Sequence, residues 1–200
     1  MDTNQATEQI RTHLFASAEM KRITADSCAQ AIVTAARVIV ESLRDGGKVL
    51  ICGNGGSAAD SQHFAGEFIN VLLKSRPRPA MAAIALTTDT SVLTAISNDF
   101  GFSLIFERQI AAFGKPGDVV IGISTSGNSE NVIRAVQHAS REKLRTIVLT
   151  GARGGELKSI ADVSICVPTE DVQQIQESHL AIEHILCMLV ERELYGDTEA

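Results

Sequence analysis

Five short apolar runs, separated by longer stretches with helical periodicity, constrain this chain more than any other feature. They are KVLIC (48–52), AAIAL (82–86), DVVIGIS (118–124), RTIVLTG (145–151) and VSICV (163–167). Runs of this length, with β-branched residues and no polar alternation, suit strands that are covered on both faces, as in a parallel sheet. Crossover helices between such strands cover both faces, so the order predicts a three-layer α/β domain around a five-stranded parallel sheet. Residues 1–46 read as a pair of helices ahead of it. The first runs through Ile10, Leu14, Ala18 and Met20; the second begins near Asp26, carries Ile32, Val33, Ala36, Ile39, Val40 and Leu43, and ends at DGG (45–47). The chain is thus expected to form one domain over 1–200, with 1–46 as its helical extension. The last helix, roughly 171–195, is apolar almost all round between Ala181 and Val190, which requires burial in the domain or against another subunit. Together with the N-terminal helices, that surplus favours an oligomer.

With 44% hydrophobic residues, 200 residues can bury a substantial core. A formal charge of −6 argues against a general binder of nucleic acid or of anionic membrane. Cys28, Cys52, Cys166 and Cys187 are scattered with no C-x-x-C pair, as expected for reduced, packed thiols, and give no zinc-finger pattern. The opening MDTNQATEQIRTHL lacks the features of a signal peptide, and no uninterrupted apolar run approaches membrane-spanning length. A soluble, cytoplasmic protein is expected.

Two glycine-rich segments follow strands and open helices, where open parallel sheets place their ligands. The first, CGNGGS (52–57), lacks both G-x-G-x-x-G and Walker spacing, so a nucleotide cofactor has little support. The helix behind it carries Phe64, Phe68, Val71 and Leu72 on one stripe and Asp60, His63, Glu67 and Asn70 on another. His63 and Glu67 project one turn apart from the same face, a half-site for zinc, although a solvated His–Glu contact has the same spacing. In the second, GISTSGNSENVIRAVQHA (122–139), Ser124, Thr125, Ser126 and Ser129 join the amides of a helix amino end. This is phosphate-binding chemistry built from neutral donors; a plain serine N-cap would explain Ser129 and leave the other hydroxyls unused. In QQIQESHLAIEHILCMLVE (173–191), His184 lies among Ile182, Ile185, Leu186 and Leu189, as a buried histidine bonded to a carbonyl would, and Gln176 lies eight residues earlier. His179 is expected to face water or a subunit boundary. His13 and His138 have no convergent partners in the sequence.

CGNGGSAADSQHFAGEF (52–68), TAISNDF (94–100), STSGNS (124–129) and IQESHLAIEH (175–184) together resemble the phosphoheptose isomerases of the sugar isomerase (SIS) superfamily. STSGNS marks the superfamily; the glutamate of the first motif combined with the Gln and His of the last is far more specific. The resemblance implies a SIS fold and a cytoplasmic homotetramer with active sites at subunit interfaces and one zinc per subunit. It also implies interconversion of D-sedoheptulose 7-phosphate and D-glycero-D-manno-heptose 7-phosphate, the first step toward nucleotide-activated heptose for lipopolysaccharide. By motif it makes His63, Glu67, Gln176 and His184 metal positions, and Asn54, Gly55, Gly56, Asn98, Asp99, Ser124, Thr125, Ser126, Ser129 and Gln176 substrate contacts. Glu67 becomes the base and His184 its partner.

Elementary chemistry is compatible with these residue types. Moving a carbonyl between C2 and C1 needs a base at C1 and an acid at C2, and Glu67 and His184 can be that pair. Zinc binding would weaken Glu67 as a base, because a dication lowers the proton affinity of its ligand. Gln176 and His184 stand about 12 Å apart along a continuous helix, so one metal shell would draw on two chains or need Gln176 to bend in. Asp60, one turn before His63, could orient its imidazole. Some relatives have an aspartate three residues before the glutamine; here that position is Gln173, and Asp171 receives no catalytic role. A non-catalytic SIS relative that binds the bacterial replication initiator lacks the counterparts of Glu67 and His184, and sugar-responsive transcription factors carry a helix-turn-helix domain ahead of the SIS domain. An isomerase of another phosphosugar is the closer alternative.

Overall fold

The computed structural model describes residues 1–196. In chain order the elements are α1 (Thr3–Arg44), β1 (Val49–Gly53), α2 (Gly56–Ile69), β2 (Ala83–Ala85), α3 (Thr90–Phe100), a 3₁₀ turn (Phe102–Leu104), α4 (Glu107–Phe113), β3 (Val119–Ile123), α5 (Glu130–Arg141), β4 (Arg145–Thr150), α6 (Leu157–Ile160), β5 (Val163–Cys166) and α7 (Val172–Tyr195). The five strands pair in parallel in the order β2-β1-β3-β4-β5. Each of the five apolar runs supplies one of them.

Alternation along β1 explains why the runs carry no polar residues. Val49 and Ile51 enter a core with Ile39 of α1, Phe64 and Phe68 of α2 and Leu186 of α7. Leu50 and Cys52 point the other way, into a core with Phe106, Ile110, Val132 and Val136. The central strands are therefore buried on both faces. β2, at the edge, leaves Ile84 partly exposed.

The expected pair of N-terminal helices is in fact one helix of 42 residues. Nothing between Met20 and Asp26 breaks a helix, and Asp26 pairs with Arg22 across one turn (3.3 Å) instead of capping a new one. The second half of α1 is core, while Ile10, Leu14 and Phe15 near its start are exposed. By length and composition α1 could cross a membrane, with mean hydropathy 1.3 over its most apolar 18 residues; 44% of that stretch is buried inside the protein. His13 of α1 meets Glu177 of α7 at 2.9 Å, and Ser17 donates to the same carboxylate. α7 buries Ile175, Ile182 and Leu186 and leaves Leu180, Ile185 and Met188 at the surface.

Strand order reverses between β1 and β3. The carboxyl ends of these neighbours carry CGNGGS and STSGNS, so the topology brings both motifs to one crevice. The side-chain amides of Asn54, in the first loop, and Asn131, in the first turn of α5, bond reciprocally at 2.8 and 2.9 Å.

Candidate active site

The turn from β1 into α2 depends on two glycines for different reasons. Gly55, the N-cap, has φ +56° with open space around it, so backbone conformation alone favours glycine there. A Cβ on Gly56 would overlap the side-chain amide of Gln176, which places α7's first turns against the start of α2. Further along, His63 meets His184, and beyond them the amide of Leu72 donates to Glu191 (3.2 Å). α2 and α7 thus run side by side in the same direction.

Between them lies a cluster of donors. The Nε2 atoms of His63 and His184 are 2.8 Å apart, with the rings edge-on at 78°. Glu67 Oε1 lies 3.7 Å from His63 Nε2, and all three ligand atoms fall within 4.8 Å of one another. Tetrahedral zinc with ligands at about 2.0–2.2 Å sets neighbouring donors roughly 3.3–3.6 Å apart, so this set of two imidazoles and a carboxylate can close on a metal with little movement. Gln176 is not brought to the cluster. From Gly56, which it touches, to His63 is about 10 Å of helix rise. His184 is only partly buried, since the polar half of its ring is turned toward His63 and away from the apolar core expected around it.

Two further carboxyls stand on the same two helices, Asp60 on α2 and Glu183 on α7. Glu183 is fully buried with neither oxygen bonded among the described residues, and burial, then the charge of Asp60, pushes its pKa up to about 9. Burial likewise raises Asp60, against the opposing pull of His63. Asp60 therefore feels His63 through charge, and one buried Oδ2 has no hydrogen-bond partner among the described residues.

At the end of β3, Ser124 Oγ lies 2.9 Å from Ser129 Oγ and 3.4 Å from Ser126 Oγ. Ser129 occupies the N-cap position of α5 but makes no side-chain cap bond, so the ordinary capping explanation does not hold even for this serine. Its hydroxyl turns into the cluster, leaving the amino end of α5 uncapped by a side chain. The loop is braced by its neighbour: Gly151 N donates to Thr125 O (3.0 Å), and Leu157 N to Gly127 O (3.1 Å). Thr125, Ser126 and Asn128 then face Gly151, Arg153 and Ile175 across a cleft of about 270 Å³.

The remaining predicted positions are placed as follows. Asn98 and Asp99 are exposed on α3, bonded to each other (2.8 Å), and neither reaches the histidines by a hydrogen bond. Asp171 caps α7 by accepting from the amides of Gln173 and Gln174, a structural role. His179 contradicts the expectation of exposure. It is fully buried, lies on the sheet-facing side of α7 with Ile175 and Ile182, and its Nε2 is 3.1 Å from Thr150 O. Sequence reading missed Asn131, Glu183, Arg78 and Glu191. Only Asn131, beside STSGNS, carried a local signal.

Burial lowers the pKa of His179 to about 4 from 6.5. The unfolded chain binds this proton first as pH falls, so stability that is present above pH 6.5 is lost progressively toward pH 4. On the order of 2 kcal/mol should disappear between pH 7 and 5. Urea melts of the wild type and His179→Asn check this: the variant should show a flatter acid limb, and parallel limbs would remove His179 as the cause.

The SIS domain family profile matches residues 15–151. A phosphoheptose isomerase of Roseiflexus sp. is 49% identical over 191 residues, covering 96% of each chain. Among solved structures, phosphoheptose isomerase GmhA from Neisseria gonorrhoeae superposes with TM-score 0.87 at 42% identity over 93% of this chain and 98% of that one. The phosphoheptose isomerase from Francisella tularensis gives 0.89 at 39% identity, over 94% and 98%. The chain belongs to the SIS-domain family and, within it, to the phosphoheptose isomerases. It is an isomerase of the aldose–ketose class.

Proposed function

We propose that the chain interconverts D-sedoheptulose 7-phosphate and D-glycero-D-manno-heptose 7-phosphate through an enediol, opening the route to nucleotide-activated heptose for lipopolysaccharide. It works as a single SIS domain over 1–200, in a cytoplasmic homotetramer, with one zinc per subunit. The observation that carries this reading is the meeting of His63, Glu67 and His184 within 4.8 Å of one another.

Ser124, Thr125, Ser126 and Ser129, with the amides opening α5, hold the phosphate through dipoles, which suits a protein of net charge −6. Asn54, Gly55, Gly56, Asn98, Asp99 and Gln176 contact the sugar. Glu67 removes the proton from C1 and His184 delivers one at C2. His63, Glu67 and His184 would hold the metal, and Gln176, which stands against Gly56 in its own chain, would complete the shell only if supplied from a neighbouring subunit. Zinc, when bound, polarises the sugar oxygens and stabilises negative charge on them. Glu67 stands farther from His63 (3.7 Å) than His184 does (2.8 Å), which leaves its carboxylate the freest of the three to act on a proton.

The test is conversion of sedoheptulose 7-phosphate by the full chain, with metal analysis. About one zinc per subunit is expected. Stripping it with a chelator should lower the rate at least tenfold, and zinc should restore it. Preference for a different phosphosugar, or full activity in thoroughly stripped protein, would overturn the substrate or the metal assignment respectively.

A further inference from the structure

We propose that Arg78 is a positioning residue for the catalytic cluster, setting the last turn of α2, and with it Glu67, against α7. The inference rests on the reading of Glu67 as the base. Arg78 lies in the connection from α2 to β2, and its side chain is 4% exposed. It makes four hydrogen bonds and an ion pair. Nη2 donates to Glu67 O (2.7 Å), Nη1 donates to Phe68 O (2.7 Å) and Pro79 O (3.0 Å), and Nε donates to Glu191 Oε1 (2.8 Å), while Nη2 also stands 2.7 Å from Glu191 Oε1 as an ion pair.

Each contact has a physical reason. The final carbonyls of a helix have no partner within it, and a cation there also meets the negative end of its dipole. Arg78 fills both needs at the turn that bears Glu67. Its counter-ion, Glu191, stands on α7 seven residues beyond His184, two turns along the same face. Glu191 Oε1 also accepts from Leu72 N, which fastens the chain leaving α2. One planar guanidinium therefore links the backbone of the base's own residue to the helix that carries its acid partner.

A base must come within about 2.6–3.2 Å of the atom that carries the proton it takes, and a displacement of about 1 Å can cost roughly a hundredfold in rate. Lysine at position 78 keeps the charge but cannot reach two carbonyls and a carboxylate in one plane.

The experiment is steady-state kinetics on the full chain, wild type against Arg78→Lys, with sedoheptulose 7-phosphate and at a temperature where both are folded. The expected result is a kcat lowered by about 10- to 100-fold with KM within about threefold, because the phosphate cradle lies apart from this link. A core variant on the other face of the sheet, Leu144→Ala, matched for loss of thermal stability, should keep its kcat. Equal kcat losses in both, or an unchanged kcat in Arg78→Lys, would reduce Arg78 to a stabilising residue. The double variant Glu67→Gln/Arg78→Lys should be no slower than Glu67→Gln alone; additive losses would show that Arg78 does not act through Glu67. An active Glu67→Gln with a slow Arg78→Lys would sink the base assignment and with it the route proposed here, whereas an inactive Glu67→Gln with a normal Arg78→Lys would sink the Arg78 proposal alone. If Arg78→Lys does not fold, Glu191→Gln decides by the same criteria, since it removes the charge on α7 and leaves the carbonyl contacts of Arg78 in place.

Discussion

Glu67→Gln is expected to turn over sedoheptulose 7-phosphate on the order of a thousandfold more slowly than the wild type, while remaining folded. The substitution keeps size and shape and removes the ability to accept a proton. Little of the fold depends on the charge: α2 is held by Phe64 and Phe68, both fully buried, and its last turn by Arg78 through backbone carbonyls that glutamine also has. The partner His184 stays in place, because its contact is with His63. Two measurements check this: kcat, and the exchange of the C1 proton with solvent, which reports the first transfer directly. Both should fall together. Turnover within tenfold of wild type would remove Glu67 as the base and leave the proton traffic to His184.

The second large effect is expected at Gly127, the turn of the serine loop. Its φ of +68° lies in the left-handed region, and a Cβ there would overlap the carbonyl of Gly154. Both obstacles are backbone, so no side chain can swing aside. The conformational penalty of about 1–2 kcal/mol thus adds to a steric one, for a total of roughly 3 kcal/mol or more. The only relief is for the serine loop to move away from residues 151–157. That motion would break the bond from Leu157 N to Gly127 O and loosen the one from Gly151 N to Thr125 O. Gly127→Ala should therefore lower the melting temperature by several degrees and raise KM for the phosphosugar at least tenfold, with a smaller change in kcat. A stable variant with normal KM would mean that the cradle does not depend on this turn, and a loss confined to kcat would place the phosphate elsewhere.

The two predictions draw on information of different kinds. A His–Glu pair one helical turn apart and a loop crowded with hydroxyls could be read from HFAGEF and STSGNS, because each packs its side chains into nearly consecutive residues. The sheet was equally legible, since a strand covered on both faces is apolar at every position. The N-terminal helix was harder. Periodicity gives the phase of a helix but not its continuity, and Asp26, a capping residue in isolation, sits mid-helix beside Arg22. His179 went astray for a related reason: a helix apolar almost all round has no phase to read, so His179 was expected outside and lies inside, whereas His184, which the family resemblance grouped with His63 and Glu67, does meet them.

By itself, then, the sequence determined the strands, the motifs at their ends and the residue types able to move a proton, all of them matters of local pattern. Tertiary structure decided which of those residues meet. His63 and His184 are 121 positions apart, and Arg78 and Glu191 are 113 apart. The physical reason lies in the crossovers: the connections from α2 to α7 carry the chain through four strands before α7 packs back beside α2, and contacts of 2.7–2.8 Å follow from how the two helices pack on one sheet face, a property of the whole assembly that no short segment contains.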